Sequence, residues 1–111
     1  MEFQRAARLS EIPLGQMRAC IVGSREIVIC HTRHGIFALD NICTHALARM
    51  DEGRLRGLRL ICPLHGASFD VRDGRVLSAP ATVALPHHAV RVVDDLVEVA
   101  IDPDAPPQLT A

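Results

Sequence analysis

Four residues in this chain have the side chains and spacing to hold a metal. They are Cys43 and His45 in Cys43-Thr44-His45, and Cys62 and His65 in Cys62-Pro63-Leu64-His65. Sixteen residues, Ala46 through Ile61, separate the two pairs. Thiolate and neutral imidazole are preferred ligands of zinc and iron. Two of each at this spacing can close around a metal centre. The pairs also differ: one is Cys-x-His and the other Cys-x-x-His, each followed by its own glycine or turn signal.

Two metal chemistries use two Cys and two His. A structural zinc ion takes all four tetrahedrally, usually with the two Cys two to four residues apart and the two His three to five apart. Here each motif instead mixes one Cys with one His, and Cys-x-His is tight for a zinc knuckle. The alternative is a two-iron, two-sulfide centre in which two Cys hold one iron and two His the other, so that each of two loops supplies one Cys and one His. The mixed pairs match that second pattern. A zinc module used for protein binding remains the rival, and colour separates them: an iron–sulfur protein is red-brown and a zinc protein colourless.

The elements that must position these loops read as short strands. Met17–Val22 and Glu26–Cys30 flank Gly23-Ser24-Arg25 as a hairpin, and Ile36–Leu39 follows the turn at His34-Gly35. Leu58–Ile61 leads into the second pair. Ser68–Val71 and Arg75–Leu77 flank a turn with Asp73-Gly74, and Ala89–Val93 and Leu96–Ile101 flank Asp94-Asp95. Helical periodicity is not sustained anywhere, though a short helix is possible near Ile12–Leu14 or Ala46–Met50. This is the pattern of an all-β sandwich or barrel-like fold. With 111 residues the chain reads as one domain, 1–111, and its Pro-rich tail, 102–111, reads as flexible.

Composition narrows the function. Basic and acidic residues nearly cancel (12 − 13 = −1), which argues against nucleic acid or an anionic membrane as partner. Apolar runs fall well short of the roughly 18 residues that span a bilayer, and the first residues lack an apolar signal core. A cytoplasmic protein is therefore expected, with its four Cys reduced or metal-bound.

The residues around the two pairs carry a family resemblance. Cys43-Thr44-His45, Met50-Asp51-Glu52-Gly53, Cys62-Pro63-Leu64-His65-Gly66, Ser68-Phe69-Asp70, Gly74-Arg75 and Ala79-Pro80-Ala81 resemble the Rieske-type 2Fe–2S ferredoxins of bacterial ring-hydroxylating (aromatic) dioxygenase systems. The resemblance runs from about Ile36 to Pro86. It implies an all-β, Rieske-like antiparallel β-sandwich in three layers, with a small cluster-binding subdomain at about 41–81. It also implies one 2Fe–2S cluster, with Cys43 and Cys62 on a buried iron, His45 and His65 on an outer one, and Pro80 in a third loop that covers it. Respiratory Rieske proteins carry two further Cys that pair beside the cluster; the positions here look like Ala48 and Leu64. They also carry a Ser and a Tyr whose hydroxyls donate to the cluster; here those positions look like Ala67 and Phe69. Without those donors the potential is expected at the low end of the Rieske range, on the order of −150 mV.

The function implied is that of an electron-transfer component rather than an enzyme in its own right. It would carry single electrons from a flavoprotein ferredoxin reductase to the terminal oxygenase of an aromatic hydrocarbon catabolic system, as a monomer. The docking patch expected is the tip made by His45, His65, Leu47, Leu64 and Pro80, with Arg49, Arg54, Arg56 and Arg59 able to steer an acidic partner. The alternative within the fold is the small subunit of an assimilatory nitrite reductase. Cys20 and Cys30, on the two arms of the first hairpin, read as neighbouring core thiols. His31, His34, His87 and His88 read as surface or loop residues, Asp70 and Asp73 as turn-fixing, and Gly66 as space for a close backbone approach.

Overall fold

Ile27-Val28-Ile29-Cys30 is a run without polar interruption, and all four side chains are fully buried. Successive strand residues point to opposite faces, so such a strand must be covered on both sides. A computed structural model of the chain, describing residues 2–109, shows how. Its strands are β1 (Gln4–Arg8), β2 (Met17–Val22), β3 (Arg25–Thr32), β4 (Gly35–Asp40), β5 (Arg54–Arg56), β6 (Arg59–Ile61), β7 (Ser68–Asp70), β8 (Val76–Ser78), β9 (His87–Val93) and β10 (Leu96–Ala100). They form a six-stranded antiparallel sheet in the order β1-β10-β9-β4-β3-β2 and a four-stranded antiparallel sheet in the order β5-β6-β7-β8.

The larger sheet curls until its edge strands, β1 and β2, lie against each other. Ile27 and Ile29 of β3, Ala38 of β4, and Val97 and Val99 of β10 fill its inside together with Ile12 and Val22. The opposite faces of the same strands, Val28, Cys30 and Leu39, pack against Leu60, Phe69 and Val71 of the smaller sheet and the turn that follows it. Three layers result, with β3 and β4 in the middle. This is the antiparallel sandwich that the sequence led us to expect. Phe69 is the largest fully buried side chain, and burial of a residue of that size is worth roughly 2–3 kcal/mol.

Several local expectations are revised. Neither β1 nor β5 stands out in the sequence: Gln4–Arg8 is polar and lacks β-branched residues, and Arg54–Arg56 is a single apolar residue between two arginines. The helical segments are single 3-10 turns at Leu9–Glu11 and Met50–Glu52, each beside its expected position. Cys20 pairs with Ile27 and Cys30 with Met17, an odd register offset that puts the two thiols on opposite faces of the sheet. They are therefore not neighbours. Burial pushes Cys20 up to about 11 and Cys30 up to about 12, so both stay protonated and unreactive.

His88 is not a surface residue either. Its side chain is wholly buried, with Nε2 2.8 Å from Asp40 Oδ1 while Nδ1 accepts from the Asp102 amide at 3.0 Å. An accepting Nδ1 leaves the ring proton on Nε2, so His88 donates to Asp40. Arg25 grips the same carboxylate with two bonds of 2.7 Å. Burial alone would raise the Asp40 carboxyl, but the His88 and Arg25 bonds outweigh it and hold the group below the usual carboxylate range. Asp40 ends β4 just before the first Cys–His loop, so the network fixes where that loop starts.

The Pro-rich tail is tied to the same place. Arg25 Nη2 donates to the Pro106 carbonyl at 2.7 Å, and Gln108 exchanges two side-chain bonds with the Glu26 backbone, at 2.7 and 2.6 Å. These bonds, absent from any sequence pattern, replace the free tail expected over the described part of 102–111; Thr110 and Ala111 lie outside the described residues.

The β7–β8 turn is set by its own carboxylates, as read from the sequence. Asp70 accepts from the Arg72 amide at 2.9 Å and Asp73 from the Arg75 amide at 3.0 Å. Gly74 has φ +76°, and its carbonyl receives the Leu85 amide at 2.8 Å. A methyl at Gly74 would collide with the Leu85 carbonyl oxygen, whereas one at Gly57, also at positive φ (+59°), would meet open space. Gly57→Ala should therefore cost about 1–2 kcal/mol, the left-handed penalty alone. Gly74→Ala should cost distinctly more, and thermal unfolding midpoints of the two variants check the order. Asp70 gives a second expectation. Its side chain is 4% exposed, and the Arg72 guanidinium holds its carboxyl down at about 2. A depressed carboxylate contributes stability in full above the ordinary Asp value of about 4 and loses it as the pH falls through the folded value. The gap in thermal midpoint between wild type and Asp70→Asn should therefore be constant from neutral pH to about 4 and shrink toward about 2.

Candidate metal centre

The two Cys–His pairs sit on loops with the same backbone plan. The Cys43 amide donates to the Ala48 carbonyl at 2.8 Å, and the Cys62 amide to the Ala67 carbonyl at 2.7 Å. Each loop thus closes on a carbonyl five residues after its cysteine. To turn that tightly, each needs left-handed backbone at its fourth step: Leu47 has φ +51° and Gly66 has φ +72°. In the second loop His65 is left-handed as well (φ +62°). The glycine at 66 is explained by this angle. One loop is anchored by β4 and an Ile42–Arg49 bridge, the other by β6 and β7.

The loops bring all four sequence-predicted residues to one end of the molecule and sort them by type. Cys43 and Cys62 are buried, 0% and 2% exposed, and belong to the same core cluster. His45 is half-buried and His65 exposed; their rings meet edge to face with centroids 5.6 Å apart and Nε2 of His45 3.3 Å from Nδ1 of His65. Sulfur lies inside and nitrogen outside. A backbone amide points at one of the sulfurs: His45 N–H donates to Cys43 Sγ at 3.4 Å. Burial, opposed by the Leu64 amide and reinforced by the Cys43 thiol, pushes Cys62 up to about 11. A metal binding here must displace that proton, so loading releases acid.

This donor set fits a two-iron centre better than a single zinc ion. Zinc needs all four ligands around one point, and among the described residues no three Cys, His, Asp or Glu side chains converge in that way. Two thiols together and two imidazoles together, one pair beneath the other, is the division that a cluster with Cys on one iron and His on the other requires.

A third loop ties the first two together, a role that sequence spacing does not reveal. The Thr44 hydroxyl donates to the Val83 carbonyl at 2.6 Å, and the Ser78 hydroxyl reaches the Gly66 carbonyl at 3.2 Å. Ser78 also shares a 2.6 Å bond with Ser68, which receives Arg59 Nη1 at 2.6 Å. Pro80 is exposed within that third loop. Ala67 and Phe69, the residues standing where hydroxyl donors were considered, are fully buried and bring no side-chain donor to the centre. Leu47, Leu64 and Val83 are 44%, 45% and 61% exposed, so the rim around the imidazoles is apolar.

The four arginines between the pairs separate into two kinds. Arg49 pairs with Glu26 at 2.7 Å and Asp51 at 3.3 Å, and Arg59 is held by Ser68. Arg54 and Arg56, on β5, are exposed and make no ion pair among the described residues. No helix among the described residues is long and apolar enough to cross a membrane.

Comparison with known proteins agrees with this geometry. Residues 2–93 match the family described as Rieske [2Fe-2S] domain. The ferredoxin component of the naphthalene 1,2-dioxygenase system of Pseudomonas aeruginosa is 40% identical over 87 residues, covering 78% of this chain and 84% of the relative. The ferredoxin of carbazole 1,9a-dioxygenase from Nocardioides aromaticivorans IC177 superposes with a TM-score of 0.87 at 29% identity, covering 92% of this chain and 100% of that one. The solved complex of reduced oxygenase and oxidized ferredoxin in carbazole 1,9a-dioxygenase contains a chain that matches with a TM-score of 0.82 at 31% identity, covering 88% of this chain and 92% of that one. Two sulfur donors beneath two nitrogen donors, on paired loops of a three-layer β-fold, agree with these matches: the chain belongs to the Rieske [2Fe–2S] domain family, whose cofactor is a 2Fe–2S cluster.

Proposed function

We propose that this protein is a Rieske ferredoxin that carries single electrons from a flavoprotein reductase to the terminal oxygenase of a multicomponent aromatic ring-hydroxylating dioxygenase system. It would work as a cytoplasmic monomer and is an electron-transfer component rather than an enzyme. The observation that carries the reading is the sorted donor set at an exposed end of a chain whose relatives are ferredoxin components of such systems. Cys43 and Cys62 would hold one iron and His45 and His65 the other. When bound, the cluster supplies a reversible one-electron couple, with a potential on the order of −150 mV in this donor-poor setting.

The chain's own residues then do three things. The buried thiols and the His45 amide stabilise anionic sulfur away from water. The imidazoles reach the surface and shorten the path for an electron to a docked partner. The apolar rim of Leu47, Leu64 and Val83 lets a partner exclude water there without burying an unpaired charge. Thr44 and Ser78 brace the loops, so the centre changes charge with little movement.

Two outcomes follow. Cys43→Ser, Cys62→Ser, His45→Ala and His65→Ala should each lose iron and visible colour, while Cys20→Ala and Cys30→Ala keep both; iron and sulfide analysis with absorption spectra check this. In reconstitution with a reductase, NADH and the terminal oxygenase, product formation should stop when this protein is omitted and return when the holoprotein is added. Full turnover without it would contradict the proposal.

A further inference from the structure

A shallow groove runs down one side of the molecule from the metal loops. Its middle lies between Gly15–Met17 on one wall and Gly53–Arg56 on the other. At the far end it opens beside Arg33 and His34 of the β3–β4 turn, with Leu58 beneath. At the near end Gly53 and Arg54 also border the hollow beside Cys62, Pro63 and Gly66. The groove is thus continuous with the exposed end that holds the site.

Its charge is one-sided. Arg33, Arg54 and Arg56 are all exposed, and among the described residues none of them makes an ion pair. Arg25, Arg49, Arg72 and Arg91 are engaged in ion pairs and Arg59 with Ser68, while the other exposed, unpaired arginines, Arg5 and Arg18, lie on β1 and β2. No carboxylate lines the middle or the far end, and Glu52 is the one acid that borders the near end. The sequence brings the three together from distant positions: β5 presents Arg54 and Arg56 on either side of half-buried Leu55, and the β3–β4 turn supplies Arg33. All twelve basic residues of the chain are arginine, whose fork pairs with carboxylates two bonds at a time and is always charged.

We propose that this groove is a docking surface for an acidic face of a redox-partner protein, separate from the apolar tip around His45 and His65. The inference rests on the electron-carrier reading above. A carrier must meet its partners quickly and leave them quickly. Exposed charges beside the exit point raise the rate of encounter more than the lifetime of the complex. An apolar tip that forms the electron contact and a basic flank that steers approach would divide those two tasks.

Stopped-flow electron transfer tests this, using holoprotein with the reductase and with the terminal oxygenase of its own system, each measured separately. With at least one of them the wild-type second-order rate should fall as ionic strength rises from about 0.01 M to about 1 M. The R33E/R54E/R56E variant should be slower at low ionic strength by about tenfold or more and should converge on wild type at high ionic strength. R5E, which alters an exposed arginine on β1, should match wild type, and the visible spectrum and potential of the triple variant should be unchanged. If the triple variant does not hold its cluster, Arg33→Gln, in a turn away from the metal loops, should still give a smaller loss that disappears at high salt. Wild-type rates independent of salt, a triple variant equal to wild type with both partners, or an equal loss in R5E would overturn the groove while leaving the carrier role standing. Failure of wild type to exchange electrons with either partner would overturn both.

Discussion

Covering β3 and β4 on both faces is the constraint from which the metal centre follows. Ile27 and Ile29 need one partner layer and Val28, Cys30 and Leu39 another. The curled sheet satisfies the first need and the four-stranded sheet the second. One Cys–His loop leaves the end of β4, and the other lies between β6 and β7 of the covering sheet. Packing that sheet on the middle layer therefore places the two loops together, with no contact between them required in advance. The buried Asp40–Arg25–His88 network then fixes the starting point of the first loop.

The loops show how backbone geometry sorts these four side chains by chemistry. Each closes through one amide onto a carbonyl five residues on, and each turns through a left-handed residue at the same step. Such a loop puts its first side chain toward the protein and leaves those at its crest near water. Cysteine comes first in both, and histidine follows two residues later in one and three in the other. The unequal spacing is thus compatible with one shared plan. Sulfur ends up in the interior and nitrogen at the edge, and burial holds the Cys62 thiol up until a metal takes the proton's place.

How much of this was legible beforehand depended on the range of the interaction. The four candidate residues, the hairpins and the turn carboxylates Asp70 and Asp73 are written in residues close together, and spacing or composition exposes them. β5 is not, because a strand of three residues with one apolar side chain is defined by the β6 partner it pairs with. The burial of His88 is invisible locally, since its partners come from positions 40 and 102. The same holds for the tail, whose anchors lie on β3, and for the separation of Cys20 from Cys30, which turns on whether a register offset is odd or even. The arginines were half legible: a cluster between the pairs was visible, but which of them are tied up by Glu26, Asp51 and Ser68, and the place of Arg33 at the far end of the same groove, are tertiary facts.

The central claim is the division of ligands, two thiolates on an inner iron and two imidazoles on an outer one. Electron–nuclear double resonance on dithionite-reduced protein labelled with 15N at histidine addresses it most directly. The account predicts a rhombic electron paramagnetic resonance signal coupled to two directly bound histidine nitrogens, and no such signal from His45→Ala or His65→Ala, which lose the cluster. A signal with no bound histidine nitrogen, or a colourless protein that contains zinc and gives no signal, would contradict it.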